Sequence, residues 1–277
     1  MYDFHYGTKN EILSNPEEFL IFTKRLLPRW INGIPDSECL AIFHSLEHSK
    51  KDSKNVIIET GCGASTLAMF LWCTINKSKL FSWDTNGSKG SFLRGVILES
   101  IARPLEVNVY DIWTFIPFDS TNKYVGIEVL KEMGLQACYG YFDSWHTLDH
   151  LVNEIESFEK IACSEFIIAL DDAYYTKKYE NLSYINMIRN KLKLKKISDT
   201  DPKNKSKPFY LEIEEILSKK YAVKHLDDFY KSNYKSDIFF EYYKSDKKAM
   251  NKFGMEISDE LEHRFDIFKV LNKNAKK

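Results

Sequence analysis

The sequence predicts an α/β fold: a doubly wound, mostly parallel sheet of about seven strands, with an antiparallel edge hairpin and helical extensions at both ends. Three observations carry this reading. Short apolar runs alternate with helical segments along most of the chain, the pattern of β-α-β units. Four of these runs end in acidic residues, at Glu59, Asp84, Asp143 and Asp171-Asp172. The first, Val56 to Ile58, leads through Glu59 into Gly61-Cys62-Gly63-Ala64-Ser65-Thr66, a strand, a glycine turn and a helix start.

In chain order, Asn15-Pro16-Glu17-Glu18 begins a helix with a cap, a first-turn proline and acids at the positive end of the dipole. Phe19, Leu20, Phe22, Leu26 and Leu27 give it an apolar face, and a second helix starts at Pro35-Asp36. Residues 55–60 read as the first strand, and 64–76 as its helix. Lys79 to Asp84 is the second strand, Gly87 to Ala102 a helix and Leu105 to Tyr110 the third strand. The stretch 111–134 is irregular and ends in a short helix at Met133-Gly134. Leu135 to Phe142 is the fourth strand, Leu148 to Glu159 an amphipathic helix and Cys163 to Leu170 the fifth strand. Lysine-rich 191–207 reads as a loop, Phe209 to Lys219 as a helix, and Tyr221–His225 with Asp237–Tyr243 as the hairpin. A broken helix is expected over 247–273. This divides the chain into an N-terminal helical cap (1–53), an α/β domain (54–246) and a C-terminal helical extension (247–277).

Composition narrows the function. The 277 residues carry a formal charge of −1, which gives no electrostatic case for nucleic acid as the main partner. Residues 1–10 show no basic-then-apolar signal, and no apolar run approaches the roughly 18 residues of a membrane span. A cytoplasmic chain without a membrane partner is the expectation. Five cysteines, an odd number without a CxxC pair, read as buried reduced thiols. The helical ends are candidates for a homodimer contact.

Glu59, Asp84, Asp143, Asp171 and Asp172 all stand at strand ends on one edge of the sheet. Ligands of such sheets bind there, and gathered acids repel unless a cation or donor groups compensate them. One such acid alone is commonly a helix cap; five point to a site. Asp84 follows Glu59 by 25 residues, about the offset of a carboxylate that grips ribose hydroxyls. Thr66 stands where a dinucleotide fingerprint has its third glycine.

These residues resemble the Glu/Asp-x-Gly-x-Gly loop of class I S-adenosylmethionine-dependent methyltransferases, whose fold is Rossmann-like. Asp143-Ser144-Trp145-His146, with Asp171-Asp172 beginning 28 residues after Asp143, resembles the metal-dependent O-methyltransferases of the catechol and antibiotic-sugar type. The resemblance covers roughly residues 55–175. It implies S-adenosyl-L-methionine and Mg2+ as cofactors, with Asp143, Asp171 and Asp172 as magnesium ligands. It places Glu59, Gly61, Gly63 and Ser65 around the methionine part, Asp84 on the ribose and Trp83 beside the adenine. His146 stands where the catechol enzymes have a lysine base, and an imidazole suits that role. Capping the helix at Thr147 or contact with Trp145 would explain it equally, and His150 lies one turn further on. The implied substrate is a small polyhydroxylated molecule such as a sugar. Two other classes stay open: a metal-dependent glycosyltransferase or nucleotide-sugar enzyme, and a non-catalytic methyltransferase-like binding subunit.

Overall fold

The computed structural model describes residues 7–49, 55–171, 173, 175–195, 207–226 and 266–272. Its centre is β1 (Asn55–Thr60), buried at every position. A strand covered on both faces reads as a continuous apolar run. Ile57 faces one apolar layer with Leu67 and Leu71, while Val56 and Ile58 face a second with Ile155 and Phe158.

Parallel to β1 lie β2 (Lys79–Trp83) and β4 (Gln136–Phe142), followed outward by β3 (Trp113–Ile116) and β5 (Ala162–Leu170). β7 (Asp266–Asn272) runs antiparallel to β5, and β6 (Tyr221–His225) antiparallel to β7 at the edge, giving the order β3-β2-β1-β4-β5-β7-β6. This is the doubly wound, mostly parallel sheet of seven strands that the sequence predicts. Strand order reverses between β1 and β4, so a crevice opens beyond their carboxyl ends.

Helices α1 (Lys9–Ser14), α2 (Pro16–Arg25) and α3 (Asp36–Ser45) precede the sheet. α1 is held by a reciprocal Thr8–Glu11 capping box. α2 and α3 bury Leu20, Cys39 and Ile42 completely in the layer shared with α4 (Ala64–Asn76). A buried Lys24–Asp36 ion pair of 2.9 Å ties α2 to α3. The N-terminal helices are thus a packing layer on the first crossover helix. The five cysteines are buried free thiols. No helix among the described residues is long and apolar enough to cross a membrane.

Two expectations are corrected. The third strand is not Leu105–Tyr110. The segment from α5 (Gly87–Ile97) continues through a π-helical turn, Leu98–Ala102, into α6 (Arg103–Leu105) and stops at left-handed Glu106. The Asn108 side chain then accepts the Tyr110 N–H and starts the short α7 (Val109–Ile112). The paired strand is the next run, ending at Pro117. The second correction concerns the C-terminal helical extension: residues 266–272 are β7, inserted between β5 and β6 as the partner of both. Ile267, Phe268 and Val270 are all buried, so an interior strand, apolar on both faces, carries no alternation to betray it. The expected strand Asp237–Tyr243 and the remainder of that helix lie outside the described residues.

The remaining helices are α8 (Val129–Glu132), α9 (Leu148–Glu159), α10 (Lys177–Lys191) and α11 (Phe209–Lys220). His225, at the end of β6, stands between Glu214 of α11 at 3.0 Å and Asp266 of β7 at 3.4 Å. Burial disfavours its charge, but the Glu214 hydrogen bond and the Asp266 charge outweigh that and raise its pKa. A histidine raised on folding stabilises fully below its unfolded value, about 6.5, and loses that contribution as pH rises through the folded value. His225→Gln is therefore expected to lower stability most below about pH 6.5 and progressively less above it. Urea denaturation across pH tests this; a pH-independent difference would remove the charge from the account.

Candidate functional site

The carboxyl edge is built by backbone bonds that carry each ladder one residue beyond its strand. Gly61 N–H donates to Trp83 O at 2.8 Å, Asp84 N–H to Ile116 O at 3.3 Å, Asp143 N–H to Thr60 O at 2.8 Å and Asp171 N–H to Phe142 O at 3.1 Å. Asp84, Gly61, Asp143 and Asp171 thereby stand in one row. Gly61 has φ +81°, and a Cβ there would lie 1.6 Å from the Asp143 carbonyl oxygen. Only glycine satisfies both conditions.

Glu59 is fully buried beneath this turn. Ser65 Oγ and Ser82 Oγ each donate to its carboxylate at 2.6 Å, and Thr66 Oγ1 lies 2.9 and 3.0 Å from its two oxygens. Burial pushes its pKa up to about 7, against the three hydroxyl donors. Glu59 and Ser65 support the turn from inside. Gly63 faces the N-terminal segment: its N–H donates to Thr66 Oγ1 at 3.1 Å, and an added Cβ would lie 3.1 Å from Ile31 O.

Above the turn opens a cleft of about 290 Å3, lined among others by Gly61, Asp84, Lys89, Asp119, Asp143 and His150. Asp84 accepts the Cys62 N–H at 3.0 Å and the Asn86 N–H at 2.7 Å, and Lys89 Nζ lies 3.1 Å away. Trp83 lines the cleft too, but its indole is buried, stacks on Phe81 at 6.4 Å and donates to Val125 O. Exposed Phe118 and Trp145 stand at the mouth, on the loops after β3 and β4.

Sequence reasoning missed Lys89, Phe118, Asp119, Ser120 and Glu154. Asp119 and Ser120 follow β3, so misplacing that strand hid them; the signal was Asp119 two residues after the proline that ends Trp113–Ile116. Burial opposes ionisation of Asp119, but the hydroxyl and N–H of Thr121, with His150 nearby, hold its pKa below the usual range. Buried Glu154 of α9 accepts from Ser120 Oγ and, at 2.7 Å, from Ser144 Oγ, with His150 Nε2 at 3.4 Å. The hydrogen bond to Glu154 raises the His150 pKa against its desolvation.

A second, smaller cavity of about 20 Å3 adjoins the cleft and shares Asp143, Ser144 and Trp145 with it. Asp171, His146 and Tyr175 line its far side, the two rings 5.9 Å apart. His146 and His150 thus serve different cavities. Behind the strand ends, buried Tyr141 donates to Glu38 Oε1 at 3.2 Å. Burial raises its pKa first, and the charges of Asp171, Glu38, Asp143 and Glu59 raise it further. Asp172 lies outside the described residues, and among those described no three His, Cys, Asp or Glu side chains are grouped so as to hold a metal ion.

No protein-family model matches the chain, and no curated protein matches it. It is similar to three solved structures among others. An O-methyltransferase from Bacillus cereus in complex with SAH has 11% identity over 94% of this chain and 91% of that one, TM-score 0.48. A TDP-rhamnose 3'-O-methyltransferase of calicheamicin biosynthesis has 18% identity over 66% and 81%, TM-score 0.44. An rRNA methylase from Streptococcus thermophilus has 8% identity over 85% and 93%, TM-score 0.37. Likeness at this level assigns no activity to the chain.

Gly61→Ala would force two backbones apart and strain a left-handed residue. A loss on the order of 3 kcal/mol or more is expected, a fall in thermal midpoint of roughly 6–12 °C for a domain of this size. Differential scanning calorimetry measures it, and an unchanged midpoint would mean that the turn relaxes freely.

Proposed function

We propose that the chain is an S-adenosylmethionine-dependent methyltransferase that methylates a hydroxyl oxygen of a small polyhydroxylated molecule, such as a sugar, with magnesium assisting. The observation that carries this reading is the pair of adjoining cavities with Asp143 in their common wall. A donor bound in the larger would meet, at the end of β4, an acceptor hydroxyl brought up from solvent to the smaller, which at about 20 Å3 has room for little more than one ion or water.

Each residue has a role consistent with that arrangement. Gly61, without a side chain, leaves the floor of the cleft open to a ligand. Asp84 is held by two backbone N–H groups and Lys89, and a carboxylate with about four acceptor sites retains capacity for ribose hydroxyls. Asp143 and Asp171 present hard oxygens to the smaller cavity, the donor type magnesium prefers; Asp172 would be the third carboxylate by the resemblance. When bound, S-adenosylmethionine supplies the electrophilic methyl group and the metal lowers the pKa of the acceptor hydroxyl. His146, exposed and lining the same cavity, would accept the hydroxyl proton. Orientation of two reactants contributes on the order of 7–11 kcal/mol, whereas a general base contributes roughly 3–5. The carboxylates that position the acceptor therefore matter more than His146.

Calorimetry tests the two halves separately. S-adenosylhomocysteine is expected to bind without metal, and Asp84→Ala to weaken it at least about tenfold; no binding to the wild-type chain would overturn the donor assignment. Asp171→Ala is expected to leave that affinity within about threefold while removing Mn2+ binding seen by electron paramagnetic resonance. Retained Mn2+ binding would sink the metal assignment.

A further inference from the structure

Glu154 is a carboxylate with 1% exposure on the inner face of α9. Taking a charge out of water costs several kcal/mol unless hydrogen bonds replace the lost hydration. The replacements here are specific. Ser120 Oγ donates from the loop after β3 and Ser144 Oγ from the loop after β4, both to the same oxygen, Oε1. Ser120, Ser144 and His150 all line the 290 Å3 cleft.

The loop after β3 is ordered within itself. Asp119 accepts the Thr121 N–H, Asn122 accepts the Tyr124 N–H, and Ile127 N–H donates to Ser120 O at 2.8 Å. Gly126 is wedged between the Ser120 and Asn122 carbonyls, each 2.4 Å from an added Cβ. Further along, Val125 O accepts from Trp83 of β2, and Glu128 accepts from Ser157 of α9 and from Lys160 just past its end; at the cleft lining itself the tie is made by Ser120. The loop after β4 is anchored at Asp143 by Thr60 O. Glu154 is a group that both loops bind in common.

We propose that Glu154 is a positioning residue: by accepting from Ser120 and Ser144 together, it holds the two loops of the cleft at the separation that S-adenosylmethionine and its product require. The inference rests on the reading of the cleft as the methyl-donor site. Glu154 lines the smaller cavity but not the cleft, so toward the methyl donor it acts through the two serines, and an apolar residue of the same volume would fill the space without fixing the width.

The test is calorimetric titration of the full chain with S-adenosylhomocysteine, with circular dichroism to establish the folded fraction. Glu154→Ala and the double variant Ser120→Ala/Ser144→Ala are each expected to weaken binding by about tenfold to a hundredfold, the range for hydrogen bonds to a charged group. The triple variant is expected to be no weaker than Glu154→Ala, because all three residues act through one tie. Glu154→Gln keeps an acceptor oxygen and is expected to recover to within about fivefold of wild type. Where Glu154→Ala does not fold, Glu154→Gln and the serine variant, which removes only two hydroxyls, decide the matter. Binding of the serine variant within about threefold of wild type, strictly additive losses, or a Glu154→Gln as weak as Glu154→Ala would each overturn the positioning role. A wild-type chain that binds neither S-adenosylmethionine nor S-adenosylhomocysteine would overturn the donor reading itself, and this inference with it; wild-type binding unaffected by these changes would overturn this inference alone.

Discussion

The carboxylate of Glu59 is the constraint on which the site geometry depends. It sits at the end of the central strand with no water access, and a charge so placed is tolerated only when its lone pairs are met. Ser65 and Thr66 meet them from the first turn of α4, and Ser82 meets them from β2. Ser82 Oγ in turn receives the Trp113 indole N–H from β3 at 2.9 Å. One carboxylate thus ties three strands and the crossover helix together. Because Thr66 Oγ1 also accepts the Gly63 N–H, the glycine turn is specified by side chains rather than left to follow from its sequence.

Acids gathered at the strand ends repel one another, and from sequence this argues for a cation among them. The structure divides that repulsion. Glu59 is compensated by hydroxyls, and Asp84 by two backbone N–H groups and Lys89. Asp143 and Asp171 come together at one small cavity. This pair lines the cavity where the proposed magnesium would bind. The compensation of the others is what lets the cleft keep a negative lining without unfolding the edge that presents it.

What was legible in the sequence follows physical strength of signal. Asn55–Thr60 and Ala64–Asn76 were plain because an apolar run, Val56 to Ile58, leading into a glycine turn and a well-bounded helix leave few alternatives. Leu148–Glu159 was plain because Thr147 caps it and its apolar residues keep one face. β3 was misplaced because Leu105–Tyr110 is equally apolar, and only the left-handed Glu106 and the Asn108 cap decide against it. β7 was invisible as a strand because its partners are remote: the neighbour that buries Phe268 comes from residues near 168 and 225. Among site residues, Gly61, Asp84, Asp143 and Asp171 announced themselves through spacing. Glu154 could not, since a single acid within an amphipathic helix looks like part of a solvated face until the fold turns it inward.

The turn after β1 also separates two kinds of nucleotide-like ligand. A dinucleotide relies on free N–H groups at the glycine turn and helix N-terminus to receive its pyrophosphate. Here Gly61 N–H is given to Trp83 O, Cys62 N–H to Asp84, Gly63 N–H to Thr66 and Ala64 N–H to Ile31 O. The last of these bonds comes from the N-terminal layer, which closes the helix end that a phosphate would use. Asp84, Asp119 and Asp143 outnumber Lys89 and His150 around the opening. Such a cleft penalises a phosphate through both missing donors and like charge, and it favours a ligand that offers hydroxyls and a positive centre. A sulfonium nucleoside answers that description, which is why the electrostatics of the turn, and not its glycines alone, support the proposed donor.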